Sequence, residues 1–186
     1  MALLKIARMG HPVLLRRADA VADPASREIR QLVADMIDTM EDARGAGLAA
    51  PQVHVPLRLF VYRVPAERSA GPDDPPREVA ALINPVLTPL DGEMAMRWEG
   101  CLSIPGMRGV VPRHARIRFE GLDENARPVS GEATGFLSTV LQHENDHLDG
   151  ILYPMRMADL GQMGFEEEMN RFGPRGLAAS AEEASS

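Results

Sequence analysis

Between Thr134 and Leu148 lies a segment that the rest of the chain has to be built around. Thr134-Gly135 can open a helix in which Phe136, Val140, His143 and His147 fall on one stripe and Leu137, Leu141, Glu144 and Leu148 on the adjacent one. A helix apolar on two stripes is expected to be buried. Burial then takes two imidazoles and a carboxylate out of water, and such groups need partners.

His143-Glu144-Asn145-Asp146-His147 names the partner that would satisfy them. Residues four apart project from the same helix face, so two imidazoles there can grip one cation. Glu144 sits beside the ion without being aimed at it. From there a carboxylate can take a proton from metal-bound water and pass it to a leaving group. The alternative is a helix that simply carries two histidines.

A catalytic site of this type has three protein ligands and one open position, and the residues leave the third ligand open. Tyr153 occupies the slot of a third histidine in the longer H-E-x-x-H-x-x-G-x-x-H pattern, whose glycine is matched by Gly150, but tyrosine is a poor substitute. Glu166, Glu167 and Glu168 lie where a following helix can supply a glutamate, although acidic triplets are usually a solvated face. Cys101 is the remaining candidate. As the only cysteine it cannot form an internal disulfide, which suits a reducing compartment. A lone cysteine in apolar surroundings is commonly just a small core residue. Its setting, Glu99-Gly100-Cys101-Leu102-Ser103 between Trp98 and Pro105, puts a glycine next to the thiol so that backbone can approach closely.

Elsewhere Asp23-Pro24 reads as a helix start, followed by Ile29, Leu32, Val33, Met36, Ile37 and Met40 at helical spacing to about Gly45. Gly45-Ala46-Gly47-Leu48-Ala49-Ala50-Pro51-Gln52 leaves that helix as a small-residue loop ending in an amide donor. Leu57 to Val64 reads as a strand and Pro65 to Arg77 as a surface loop of unassigned role. Val79 to Leu87, Met107 to Val111 and Ala115 to Gly121 are further strands, punctuated by Asp91-Gly92 and Pro112. One catalytic domain over residues 1–172 is expected, with 173–186 a disordered tail of small and acidic residues.

A net charge of -7 argues against broad phosphate-backbone binding, so no direct nucleic-acid partner is expected. No apolar run is long enough for a bilayer crossing. The opening residues interleave charge with apolar side chains, unlike a signal peptide, so a cytoplasmic protein is expected.

GAGLAAPQ, EGCLS and QHENDH, in this order and at these separations, resemble the three signature motifs of the peptide deformylase family, and the likeness runs from about Ile6 to Met157. The resemblance implies an α+β fold, with small antiparallel sheets packed around the helix that carries both histidines. It implies a hydrolase that removes the N-terminal formyl group from formylmethionine of new polypeptides and releases formate. By the same resemblance Cys101, His143 and His147 hold one divalent metal ion, iron(II) in the cell with zinc, nickel or cobalt as substitutes. Glu144 is then the general acid/base, and Gln52 and the backbone N–H of Leu102 stabilise the oxyanion. Gly47 and Gly100 let the substrate backbone approach, while Leu48, Phe136, Val140 and His143 line the methionine pocket. N-formylmethionyl peptides are the implied partners, with a transient ribosome contact that the acidic C-terminal region would not favour by a basic route. Two other readings stay open: a metallopeptidase with a different third ligand, and a non-catalytic metal-binding relative.

Overall fold

The computed structural model describes residues 2–69 and 71–173, and the expected tail lies outside them except for Gly173. The first helix, α1 (Arg27–Asp42), starts later than the sequence suggests. Its N-cap is Ser26, whose side chain accepts from the Ile29 N–H at 3.3 Å, whereas Asp23 organises the preceding turn by accepting from Ala25 N–H. Ile29, Val33, Met36 and Met40 are buried along one face, as their spacing predicts.

Two antiparallel sheets follow. In the larger, β1 (Gly47–Ala49), β2 (Leu59–Val64), β3 (Arg77–Pro89), β6 (Ile117–Leu122) and β7 (Pro128–Ala133) lie in the order β1-β2-β3-β6-β7. The smaller has the order β4-β5-β8, from β4 (Met94–Cys101), β5 (Ile104–His114) and β8 (Met163–Phe165). Four of these strands escaped the sequence reading, the three-residue β8 among them. Gly47–Ala49 was expected to be loop, yet it pairs with Tyr62, Val61 and Phe60. β4 and β7 are poor in β-branched residues and exist because β5 and β6 pair with them. Pro112 does not end β5. It faces Met96 of β4, while β8 reaches only Met107 to Gly109, so at Pro112 the strand has a single neighbour.

The helix carrying the histidines is α2 (Gly135–Leu148), and ten of its residues are buried. Ala49, Phe60, Leu82 and Phe119 from the larger sheet pack with its Leu137, Val140, Leu141 and Leu148 in one apolar cluster. A second cluster fills the space between α1 and that sheet. A third, around Leu14, Val111, Leu152 and Tyr153, sits under the smaller sheet. Gly150 turns the chain after α2 at φ +73, where a Cβ would press on the Leu15 backbone at 2.8 Å, so glycine is required for this turn rather than for a metal motif. A short helix, α3 (Glu166–Phe172), completes the described chain. No described helix is long and apolar enough to cross a membrane.

Candidate metal centre

Helix α2 presents His143 and His147 from successive turns, their ring centroids 5.0 Å apart. β4 ends at Cys101 and delivers its sulfur to the same point: Sγ lies 3.3 Å from His147 Nε2. The potential ligand atoms of Cys101, His143 and His147 all fall within 4.8 Å of one another, and no other such group occurs among the described residues. Tyr153 and the acidic triplet are not part of it. The Tyr153 ring is buried and stacked against His143, centroids 6.2 Å apart, while Glu166 pairs with Arg108 at 3.0 Å.

The donor set fits a divalent cation on two counts. Its chemistry, one soft sulfur and two imidazole nitrogens with a position left over, is that of a catalytic transition-metal site. Its electrostatics call for positive charge: burial pushes the His143 pKa down, but Cys101 and Glu99 outweigh this and hold it well above the usual value. The His147 pKa is driven well below its usual value by burial, helped by His143 and Arg113, so this ring is neutral and free to ligate.

Behind the ligands runs a chain of buried charges. His143 Nδ1 lies 2.7 Å from Glu99 Oε2, which turns Nε2 toward the cysteine. Arg113 donates to both Glu99 oxygens, at 2.6 and 2.9 Å, and to Asp146 Oδ2 at 2.6 Å. Asp146 also accepts from Arg156 at 2.8 Å. Asp146 is thus tied to two arginines. The roles of Glu99 and Arg113 were not anticipated, although Glu99 belongs to the EGCLS segment; Arg113 has no local signal, since its partners are 14 and 33 residues away.

Glu144 is 4% exposed and its Oε2 has no hydrogen-bond partner within the protein. Burial is the main reason its pKa is pushed up to about 7. A Cβ on Gly47 would run into this carboxylate, which explains the glycine of β1. Gln52, 2% exposed, is pinned by the Ala49 N–H, which donates to Oε1 at 2.8 Å. That bond leaves Nε2 facing the site, 3.1 Å from Ser103 Oγ and 3.5 Å from Cys101 Sγ. The Ser103 N–H also donates to the sulfur, at 3.4 Å. Leu102 occupies the turn between β4 and β5.

The expected pocket residues divide. Phe136 and Val140 lie on the α2 face that leads to His143 and pack with Ala46 and Ala49. The Leu48 side chain is fully buried in the cluster shared with α1, on the opposite face of β1 from Gly47 and Ala49. Strand alternation is the reason. Gly100 is exposed, and a Cβ there would meet Arg108 and Met107 only at 3.4 Å, an ordinary contact.

Comparison with known proteins gives one consistent result. Residues 3–163 match the family profile described as Polypeptide deformylase. The chain is 47% identical to Peptide deformylase 1 of Nitrosomonas europaea over 165 residues, covering 88% of this chain and 93% of that one. Among solved structures it is similar to the peptide deformylase of Ehrlichia chaffeensis in complex with actinonin, with TM-score 0.79, 33% identity, and coverage of 87% of this chain and 92% of that one. It is also similar to the Met-Ala-Ser-bound class I type b peptide deformylase of Acinetobacter baumannii, with TM-score 0.77, 33% identity, and coverage of 84% and 99%.

Proposed function

The chain belongs to the polypeptide deformylase family, and from that premise we propose how its residues remove the formyl group from N-terminal formylmethionine. The observation that carries the reading is the convergence of Cys101, His143 and His147 beside a buried carboxylate oxygen with no protein partner. Cys101, His143 and His147 would hold a divalent ion, which would supply Lewis acidity to the site. Glu144 accepts a proton from the attacking water at Oε2 and afterwards gives it to the departing amine nitrogen. A carboxylate with a pKa lifted toward 7 can do both near neutral pH. The water oxygen joins the formyl carbon, the C–N bond breaks, and formate and a free amine leave. Gln52 Nε2 and the Leu102 N–H donate to the oxygen that becomes negative during attack. The Ala49 bond to Oε1 supports this role, because it prevents the Gln52 amide from presenting its oxygen instead.

The substrate peptide lies along β1, an edge strand whose outer side is open for pairing, with Gly47 and Gly100 letting its backbone come close. Phe136, Val140 and His143 face the methionine side chain. The Met-Ala-Ser-bound relative supports a short formylmethionyl peptide as ligand. Iron(II) is the ion we assign in the cell, with zinc, nickel and cobalt able to use the same donors. Action on new chains places the protein in the cytoplasm. A transient ribosome contact through α3 would have to work around Glu167 and Glu168, which are exposed. The test is formate release from formyl-Met-Ala-Ser by protein loaded with iron anaerobically, alongside Glu144→Gln. Release by the wild type and a fall of about 10²–10⁴-fold in the variant are expected; no release with any divalent metal would end the reading.

A further inference from the structure

Helix α2 does not cap itself. Thr134 stands at the N-cap position but makes no side-chain cap bond, because its hydroxyl donates instead to the Asp73 carbonyl at 2.6 Å. The cap comes from a distant part of the chain, the Pro65 to Arg77 stretch that has no role in the chemistry. Asp74, 4% exposed, accepts from the Phe136 N–H at 2.7 Å and from the Leu137 N–H at 3.3 Å, across 62 and 63 residues of sequence. Gly135 makes this approach possible: its φ is +55, and a Cβ there would collide with the Asp74 carboxylate. The Ser69 hydroxyl donates to the Asp74 carbonyl at 2.7 Å and holds the donor loop in shape. From the same loop, the Arg68 guanidinium stands over the Phe136 ring, 5.4 Å from its centroid. One aromatic residue is therefore gripped twice, at its main chain by Asp74 and at its ring by Arg68.

We propose that Asp74 and Arg68 form a clamp that fixes the first turn of α2 and so makes Phe136 a rigid wall of the side-chain pocket, which makes the two residues specificity-determining. The proposal rests on the reading of Phe136 as a pocket residue. Capping acts over the first helical turn and fades beyond it. His143 lies about 10 Å further along the helix axis and is held separately by Glu99. Loosening the clamp should therefore alter substrate selection and leave metal binding and turnover in place, a split that general destabilisation does not produce.

The experiment compares Asp74→Ala, Asp74→Asn, Arg68→Ala and Phe136→Ala as metal-loaded proteins. It measures KM and kcat with formyl-Met-Ala-Ser and formyl-Ala-Ala-Ser, metal content, and hydrogen exchange of the Phe136 and Leu137 amides. Asp74→Ala should raise KM for the methionyl peptide about five- to tenfold, the scale of a lost cap, with kcat within about twofold. Its metal content should be unchanged, its two amides should exchange faster, and its preference for methionine over alanine should fall toward that of Phe136→Ala. Asp74→Asn keeps one acceptor oxygen for the shorter Phe136 bond and should recover part of the wild-type KM and preference, with the Leu137 amide still exchanging faster. Arg68 is exposed, so Arg68→Ala carries the test should Asp74→Ala fail to fold. If Phe136→Ala changes the preference and the clamp variants do not, the clamp is refuted while the pocket stands. If Phe136→Ala leaves the preference intact, the pocket assignment of Phe136 fails and the clamp falls with it.

Discussion

In a Glu99→Gln variant the side chain keeps its shape and loses its charge. The carboxylate faces three N–H donors: Arg113 Nε at 2.6 Å, a second Arg113 nitrogen at 2.9 Å, and His143 Nδ1 at 2.7 Å. A primary amide has one acceptor oxygen: with that oxygen at the Oε1 position its NH₂ meets the second Arg113 nitrogen and His143, and with it at the Oε2 position the NH₂ meets Arg113 Nε. Losing one buried charged hydrogen bond costs about 1.5–3 kcal/mol. Arg113 still has Asp146 at 2.6 Å, which keeps the cost below the roughly 3–5 kcal/mol of a buried ion left wholly unpaired. A loss of about 2–3 kcal/mol corresponds to a fall of roughly 4–12 °C in Tm for a chain of this size. The measurement belongs on metal-free protein, because a bound ion adds stability by mass action and would blend the two effects. Urea titration followed by circular dichroism gives the stability. Competition with a chelator gives metal affinity, which should weaken about 10–100-fold, as when a ligand histidine loses the group that orients it. A variant that is less stable yet holds metal as tightly as wild type would refute the reasoning, since Glu99 would then serve Arg113 alone.

The remaining predictions test neighbouring parts of the same site. Burial raises the Glu99 pKa, but the bonds from Arg113 and His143 outweigh it and the net value is lowered. Its stabilising contribution is therefore complete above the ordinary value of 4.5 and is lost as pH falls through the lower folded value. The urea midpoints of wild type and Glu99→Gln should accordingly converge on acidification below pH 4.5, and a gap that persists there would contradict the pairing. Gly47→Ala drives a Cβ into the Glu144 side chain and should lower kcat by about 10²-fold with metal content unchanged, measured by formate release and elemental analysis. Cys101→Ala should lose the ion on dialysis; retention of metal with peptidase activity would instead support a glutamate as third ligand.

Where local periodicity governs, the sequence was readable. Spacing of three and four residues placed α1 and α2, and it puts His143 and His147 on one face of any α-helix that contains them. Errors fell where a partner strand decides the outcome. β4 and β7 have little strand propensity, and β1 is three small or apolar residues that a neighbouring strand recruits. The start of α1 was misplaced because Asp23 and Ser26 are both good caps, and only the backbone path chose Ser26.

From sequence alone, a helix apolar on two stripes with histidines a turn apart pointed to burial and to a cation with a third donor, and left open a helix that merely carries two histidines. The fold brings Cys101 to the two imidazoles, and not Tyr153 or the acidic triplet. Cys101 and His147 are 46 residues apart and meet only because β4 ends against α2. Tertiary packing also put Leu48 on the α1 side of its strand, set Glu99 and Arg113 behind His143, and brought Asp74 across 62 residues to cap the helix of both histidines. Helical spacing is written in consecutive residues, whereas contacts between distant segments depend on how the whole chain closes around its core.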